Sequence, residues 1–212
     1  MEPRFREYYK TFEAGGVTFY YNSSDIYREP LHAIYGCDGG DVAVFPAIID
    51  DVPVRHICTS EDFLGQGFTC REASLPEGVT MVQQQAFYSN RQLEEVILPH
   101  SMEVLGWRSF AFCPALKRIA LPMRLLLHLI PACKGSQVEE SCLRLDDGGL
   151  KVFARFDFMN LIAYYYSIIK KDLKGQPQDD DEDRGNLALC KEFGWHNIVD
   201  DYLEDFQDAF NF

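Results

Sequence analysis

The sequence predicts an α+β solenoid: a short array of stacked repeats with an N-terminal β cap and a C-terminal β-hairpin plus helical cap. Three observations carry this expectation. Leu75-Pro76 returns as Leu98-Pro99 and again as Leu121-Pro122, at steps of about 23 residues. Between these marks the apolar positions recur in register: Val79 with Met102, Val82 with Leu105, Phe87 with Phe110, Leu93 with Leu116, and Val96 with Ile119. After the array come helical patterns whose apolar stripes need a surface to cover, and the open end of a stack is such a surface.

Residues 1–44 read as the N-terminal β cap. Gly15-Gly16 precedes the β-rich run Val17–Tyr21, Asn22–Asp25 is a turn signal, and Leu31–Tyr35 is a second strand candidate. Cys37-Asp-Gly-Gly-Asp41 then turns the chain back to Val42–Val44. A β-hairpin here covers strand edges that would otherwise invite association. Gly-Asp clusters also occur in calcium loops, but no side chain completes that spacing.

Residues 45–130 read as the repeats. Each unit is too small to bury its own apolar face, so neighbours stack and share one core. Leu93, Val96 and Leu98 have the spacing of a short strand, repeated by Leu116, Ile119 and Leu121; Pro99 and Pro122 end these strands by removing a ladder donor. Phe87 and Phe110 fill the turn between strands as core residues. A looser first copy starts at Phe45-Pro46, with Val54, Ile57 and Phe63 in the matching slots and roughly seven extra residues looped out. Beyond Pro122 the stretch Met123–Ile130 stays apolar but lacks the Ala-Phe mark, so the expected array has about three turns.

Written as a pattern, LPxxVxxVxxxAFxxxxxLxxVxLP resembles the BspA-type leucine-rich repeat of bacterial proteins, over residues 45–125. The resemblance implies a short leucine-rich-repeat array, and it implies that the outer strand face is the surface that meets partners. By register that face carries two columns, Glu72, Glu95, Arg118 and Ser74, Ile97, Ala120, with stacked strands about 4.8 Å apart. The first is a mixed charge ladder. The second sets Ile97 between two small residues.

Residues 131–212 read as a hairpin and a helical segment. Leu143–Leu145 and Leu150–Phe156 flank the turn Asp146–Gly149. A helix then starts with Asp157 as N-cap and carries the stripe Phe158, Leu161, Ile162, Tyr165, Ile168 and Ile169. Lys170, Lys171 and Lys174 load its last turn, Gly175 caps it and Pro177 stops it. An acidic linker, 178–183, leads to a helical pair, Asn186–Phe193 and Trp195–Phe210, broken at Gly194. The second of these has an acidic face of Asp200, Asp201, Glu204, Asp205 and Asp208, a second surface on which a partner could dock.

Composition narrows the function. A formal charge of −13 disfavours nucleic acid and anionic lipid as partners. The first residues lack a signal-peptide core, and nothing later spans about 18 apolar residues, so the expectation is a cytoplasmic protein with no membrane segment. Members of the resembled type are often exported or displayed, which pulls the other way. Seven cysteines, an odd number without framework spacing, read as reduced thiols that fill small apolar slots.

The search for chemistry finds no phosphate loop, nucleophile elbow or paired CxxC. Cys58 with His56 and Asp50 or Asp51 is the nearest catalytic constellation, since His56 and Cys58 share a face of an extended segment. His128 and Cys133 do not complete a zinc site, and His196 beside Trp195 reads as a surface residue. No catalytic residue, metal ligand or cofactor is expected. The reading is a non-enzymatic protein–protein interaction module with Glu72, Ser74, Glu95, Ile97, Arg118 and Ala120 as the candidate contact face. The alternative is a small cysteine/histidine-based enzyme or metal-binding protein.

Overall fold

Two parallel ladders run through the repeat region, one on each side of a shared core. The computed structural model describes residues 8–24, 29–59, 67–134, 136, 143–146, 150–153, 155–179 and 181–210. The chain opens with β1 (Lys10–Ala14) and β2 (Val17–Ser24), an antiparallel hairpin turned by Gly15 and Gly16 at φ of 59° and 79°. Glycine takes those left-handed angles without steric cost. β3 (Leu31–Asp38) runs back antiparallel to β2.

From β3 onward the pairing becomes parallel. The strands that follow are β4 (Val42–Val44), β5 (Ile48–Ile49), β6 (Val52–Ile57), β7 (Glu72–Ser74), β8 (Met81–Val82) and β9 (Glu95–Ile97). After them come β10 (Val104–Leu105), β11 (Arg118–Leu121), β12 (Leu143–Asp146) and β13 (Leu150–Phe153). One sheet stacks β3, β6, β8 and β10; the other stacks β4, β7, β9, β11 and β12. Counted on the first sheet the solenoid has four coils, against the three expected. The additional coil is β3–β4, whose strands pair parallel to repeat strands although they carry no Leu-Pro mark. The expected C-terminal hairpin is present as β12–β13, and β12 also extends the second sheet beyond β11.

The core follows from the register. Ile34, Ile57, Val82 and Leu105 align as one inward column, facing a second column of Ala43, Ala73, Val96 and Ile119, none above 5% exposed. An aromatic spine closes the side between them. Phe19, Phe45, Phe68, Phe87 and Phe110 follow one another at centroid distances of 5.1, 6.0, 4.3 and 5.1 Å. Phe68 fills the slot expected for Phe63, which lies outside the described residues. The insertion before it displaces the aromatic along the sequence without moving it in space.

The last two coils each bend twice around the spine through left-handed backbone. Gln85 and Arg108 occupy one such position at φ of 60° and 54°, and Ser89 and Phe112 the other at 57° and 56°. Backbone ties hold these bends to the next coil: Phe87 N–H donates to Ser109 O at 2.7 Å, and Phe110 N–H to Ala132 O at 2.9 Å. Side chains complete the register by reaching back one coil. Asn90 Nδ2 donates to Phe68 O at 2.7 Å, Cys113 Sγ to Phe87 O at 3.1 Å, and Ser136 Oγ to Phe110 O.

The last coil ends on a 3-10 helix, Met123–His128, and on α1 (Leu129–Ala132). α2 (Arg155–Leu173), α3 (Asp181–Glu192), α4 (Trp195–Asp201) and α5 (Leu203–Phe210) follow. They pack where the open end was expected to be. Trp195 is fully buried with its indole N–H on Arg124 O at 2.7 Å, and Tyr166 stacks on Phe206 at 5.3 Å.

Several local boundaries shift. α2 begins at Arg155, ahead of Asp157, and the side chains of 155–160, Phe158 among them, lie outside the described residues. Gly175 caps α2 as expected, at φ 65°, with its N–H on Asp172 O. Asp181, Glu182 and Asp183, expected within the linker, form the first turn of α3, where carboxylates meet the positive end of the helix dipole. The helix expected over 195–210 is two helices, because Tyr202 leaves helical geometry at φ −123° and ψ 33°.

Candidate functional site

The strand register sets the six candidate contact residues on the outer face of the second sheet. Glu72 pairs with Glu95 and Glu95 with Arg118; Ser74 pairs with Ile97 and Ile97 with Ala120. The pleat that turns Ala73, Val96 and Ile119 inward turns these six outward. Ile97 is 42% exposed, while Ser74 and Ala120 are half-buried beside it. The low neighbours leave its side chain standing above the sheet.

Arg118 does not present an unused fork. Its Nε donates to Glu95 Oε2 at 2.7 Å, and a terminal nitrogen lies 2.6 Å from the same oxygen. That hydrogen bond and the carboxylate charge push the Arg118 pKa further up. One residue earlier in each coil a second ladder alternates in sign through Asp41, Arg71, Glu94 and Lys117, joined by backbone hydrogen bonds. Arg71 meets Glu94 at 2.8 Å and Asp41 at 3.9 Å. The Arg71 hydrogen bond holds the Glu94 carboxyl below the usual range. All these pairs are at the surface, so they set pattern more than stability.

Two face residues escape a reading based on the Leu-Pro marks. Val42 and Val44 continue the two columns above Glu72 and Ser74, and they are 50% and 64% exposed. Their signal was the alternation of Val42-Ala43-Val44, which matches Glu72-Ala73-Ser74 once β4 is placed in the ladder. The apolar column thus runs Val44, Ser74, Ile97, Ala120, large and small residues in turn.

The catalytic alternative finds little support in the geometry. Burial pushes the Cys58 thiol up to about 12, which keeps it protonated and unreactive at neutral pH. Asp50 accepts the Tyr21 hydroxyl at 3.0 Å, and Asp51 sits exposed in the left-handed turn before β6. His56, its pKa lowered by burial and by Arg55, lines a shallow open groove with Glu29, Arg55 and Thr80. His128 is held neutral by burial, which lowers its pKa to about 4, and Cys133 is buried. His196 is no surface residue: its Nε2 lies 3.0 Å from Asp172 on α2, a carboxylate that Lys191 also approaches at 3.2 Å. Among the described residues no group of three or more His, Cys, Asp and Glu could hold a metal ion. Among them, too, no helix is long and apolar enough to cross a membrane.

On the acidic side of the C-terminal helices, Asp200, Asp201, Glu204 and Asp208 are exposed. Asp205 is turned inward instead, meeting Lys134 at 2.7 Å and the Trp107 indole at 3.4 Å. It ties α5 to the last coil.

Parallel ladders of very short strands, a repeated double bend and an internal phenylalanine spine define a leucine-rich-repeat solenoid. More narrowly, residues 61–128 match the family model described as BspA type Leucine rich repeat region (6 copies). A leucine-rich-repeat protein from Bacteroides ovatus is similar in structure at 25% identity and a TM-score of 0.43, over 59% of this chain and 33% of that one. A leucine rich cell surface protein from Faecalibacterium prausnitzii is similar at 20% identity and a TM-score of 0.36, over 52% of this chain and 32% of that one. The leucine rich repeat protein of T. pallidum aligns at 21% identity and a TM-score of 0.29, over 53% of this chain and 72% of that one. The chain covers about a third of the length of the first two structures. No curated protein matches it.

Proposed function

We propose that the chain is a non-enzymatic protein–protein interaction module that docks its partner on the outer face of β4, β7, β9 and β11. The observation that carries this reading is the uncovered apolar column, with Val44 at 64% and Ile97 at 42% exposure on an otherwise well-filled sheet. Ile97 serves as a small apolar anchor, Ser74 and Ala120 leave room around it, and Glu72 and the Glu95–Arg118 pair form a polar rim. In this reading β4, at the end of segment 1–44, and the repeats of 45–130 present the surface, and the rest of 1–44 and 131–212 flank and close it. The partner is a protein and not a nucleic acid, given the charge of −13. A cytoplasmic setting suits the buried cysteines.

Affinity capture at moderate salt tests the reading. Ile97→Asp abolishes recovery of the partner while circular dichroism and melting temperature stay nearly unchanged, and Arg118→Glu weakens recovery most at low salt. If both folded variants retain the partner, the docking site moves to the acidic face of Asp200, Asp201, Glu204 and Asp208.

A further inference from the structure

The second sheet ends on an open strand. β4 is its terminal strand, and among the described residues no strand pairs with its outer edge. The direction of the hydrogen bonds shows what that edge offers. In each later coil the outward residues bond back to the coil before. The N–H groups of Glu72, Glu95 and Arg118 donate to Asp41 O, Arg71 O and Glu94 O at 2.9, 3.1 and 3.1 Å. The outward carbonyls of Ser74, Ile97 and Ala120 accept from Phe45, Leu75 and Leu98 N–H at 2.9, 3.0 and 2.8 Å. Val42 and Val44 hold the same positions on β4, and there no strand of this sheet precedes them to take those bonds.

Natural sheets shield such edges with charge, proline or a bulge. β1, the edge of the first sheet, is shielded in this way, with Lys10 and Glu13 exposed along it. β4 instead exposes Val42 at 50% and Val44 at 64%. The columns that cross the sheet indicate what would continue them. The ladder Lys117, Glu94, Arg71, Asp41 alternates in sign and ends on Asp41, whose exposed carboxylate stands 3.9 Å from Arg71 while Arg71 meets Glu94 at 2.8 Å. The next place in that ladder calls for a cation. The places beside Val42 and Val44 call for apolar residues. The place beside buried Ala43 calls for a small one, because Phe19 packs on Phe45 at 5.1 Å and closes the core there.

We propose that the open edge of β4 binds an extended peptide segment of the pattern basic–apolar–small–apolar as an added parallel strand. The first residue lies beside Asp41, and its carbonyl accepts the Val42 N–H. The third residue donates its N–H to Val42 O and accepts the Val44 N–H on its own carbonyl. The N–H that follows the fourth residue donates to Val44 O. Main-chain bonds hold the segment, and Asp41 and the two valines select it. This site is the edge of the sheet, separate from its outer face, and it stands whether or not that face binds a partner.

The test titrates the full folded chain, isotope-labelled for amide NMR, with the N-acetylated and C-amidated peptide Lys-Val-Ala-Val. Saturable shifts centred on β4 are expected. The Val42 and Val44 amides, fast to exchange in the free chain, become protected, while Ala43, already bonded to β7, does not change. N-methylation of the peptide alanine removes the donor to Val42 O and weakens binding at least about threefold, whereas N-methylation of the first peptide valine, whose N–H points away from β4, has less effect. The peptide Glu-Val-Ala-Val binds more weakly than Lys-Val-Ala-Val, and high salt narrows the gap. On the protein side, Val44→Pro removes a donor that no strand of this sheet uses, so it weakens binding with little change in melting temperature. The peptide comparisons are made on the natural chain and do not depend on how that variant folds. Absence of saturable shifts at millimolar peptide overturns the proposal, as do shifts lying away from β4 or equal binding of the alanine-methylated peptide. Val42 and Val44 amides already protected before peptide is added overturn it too, whether a second copy or another part of the chain covers them.

Discussion

Removing the ring of Phe87 is the sharpest probe of the stack. Phe87 is fully buried in the middle of the aromatic spine, 4.3 Å from the Phe68 ring and 5.1 Å from that of Phe110. Truncation of a buried aromatic to alanine costs about 3–5 kcal/mol, and each lost ring pair contributes about 0.5–1.5 kcal/mol beyond area. The site cannot close over the gap, because its neighbours are anchored on different coils by the Phe87–Ser109 and Asn90–Phe68 hydrogen bonds. Phe87→Ala is therefore expected in the upper part of that range, about 4–5 kcal/mol, a large share of the roughly 5–15 kcal/mol that holds a domain folded. In a stack, stability sums over nearest-neighbour interfaces, so the loss falls on two interfaces together. Urea denaturation followed by far-UV circular dichroism measures it, with Phe87→Leu as the reference at less than about 1.5 kcal/mol. A cost below about 1 kcal/mol for the alanine variant would refute the spine as a packing element.

Three other perturbations test separate parts of the fold. A Cβ on Gly106 would stand 2.2 Å from Gln84 N and 2.5 Å from Gln83 C, so Gly106→Ala forces two coils apart; a loss of about 1–3 kcal/mol in urea is expected, and a neutral change would contradict the close backbone contact. His128 is neutral in the folded chain because burial lowers its pKa to about 4, so its contribution is complete above the ordinary value of 6.5 and is lost as pH falls from there toward 4. His128→Gln should flatten the melting-temperature profile over that window while leaving it unchanged at pH 8. Truncation after Lys174 removes Trp195, Val199 and Phe206 from the end of the stack and bares Leu125, Leu126 and Leu127; light scattering should report aggregation, whereas a soluble monomer with unchanged melting would make the helices an independent module.

The sequence made the middle of the array legible and its ends less so, for one physical reason. A constant step of about 23 residues preserves both register and face, so Glu72, Glu95 and Arg118 align from their spacing alone. Where the step changes, the same arithmetic fails. The insertion before Cys70 moved the aromatic mark from the expected Phe63 to Phe68, and β3–β4 joined the stack on backbone pairing without the Leu-Pro mark. Two-residue strands such as β8 and β10 are too short to show alternation, and only stacking gives them order. The outer face of the second sheet was legible in its lower part, whereas Val42 and Val44 were hidden inside what reads as a cap. Nor does spacing reveal the close approach of Gly36 and Gly67, a backbone event between neighbouring coils.

The side-chain ties of Asn90, Cys113 and Ser136 all point one way. Each donates to the carbonyl of the phenylalanine one coil closer to the N-terminus, never forward. A coil is thus finished by its successor, and the polar accounting of each bend stays open until about 23 further residues have arrived. Until the next coil is in place, the phenylalanine carbonyl at a bend lacks this side-chain donor, and the strands of that coil lack their next parallel partners. Loss of the Ser136 hydroxyl therefore removes a donor from the bend at Phe110, one coil closer to the N-terminus.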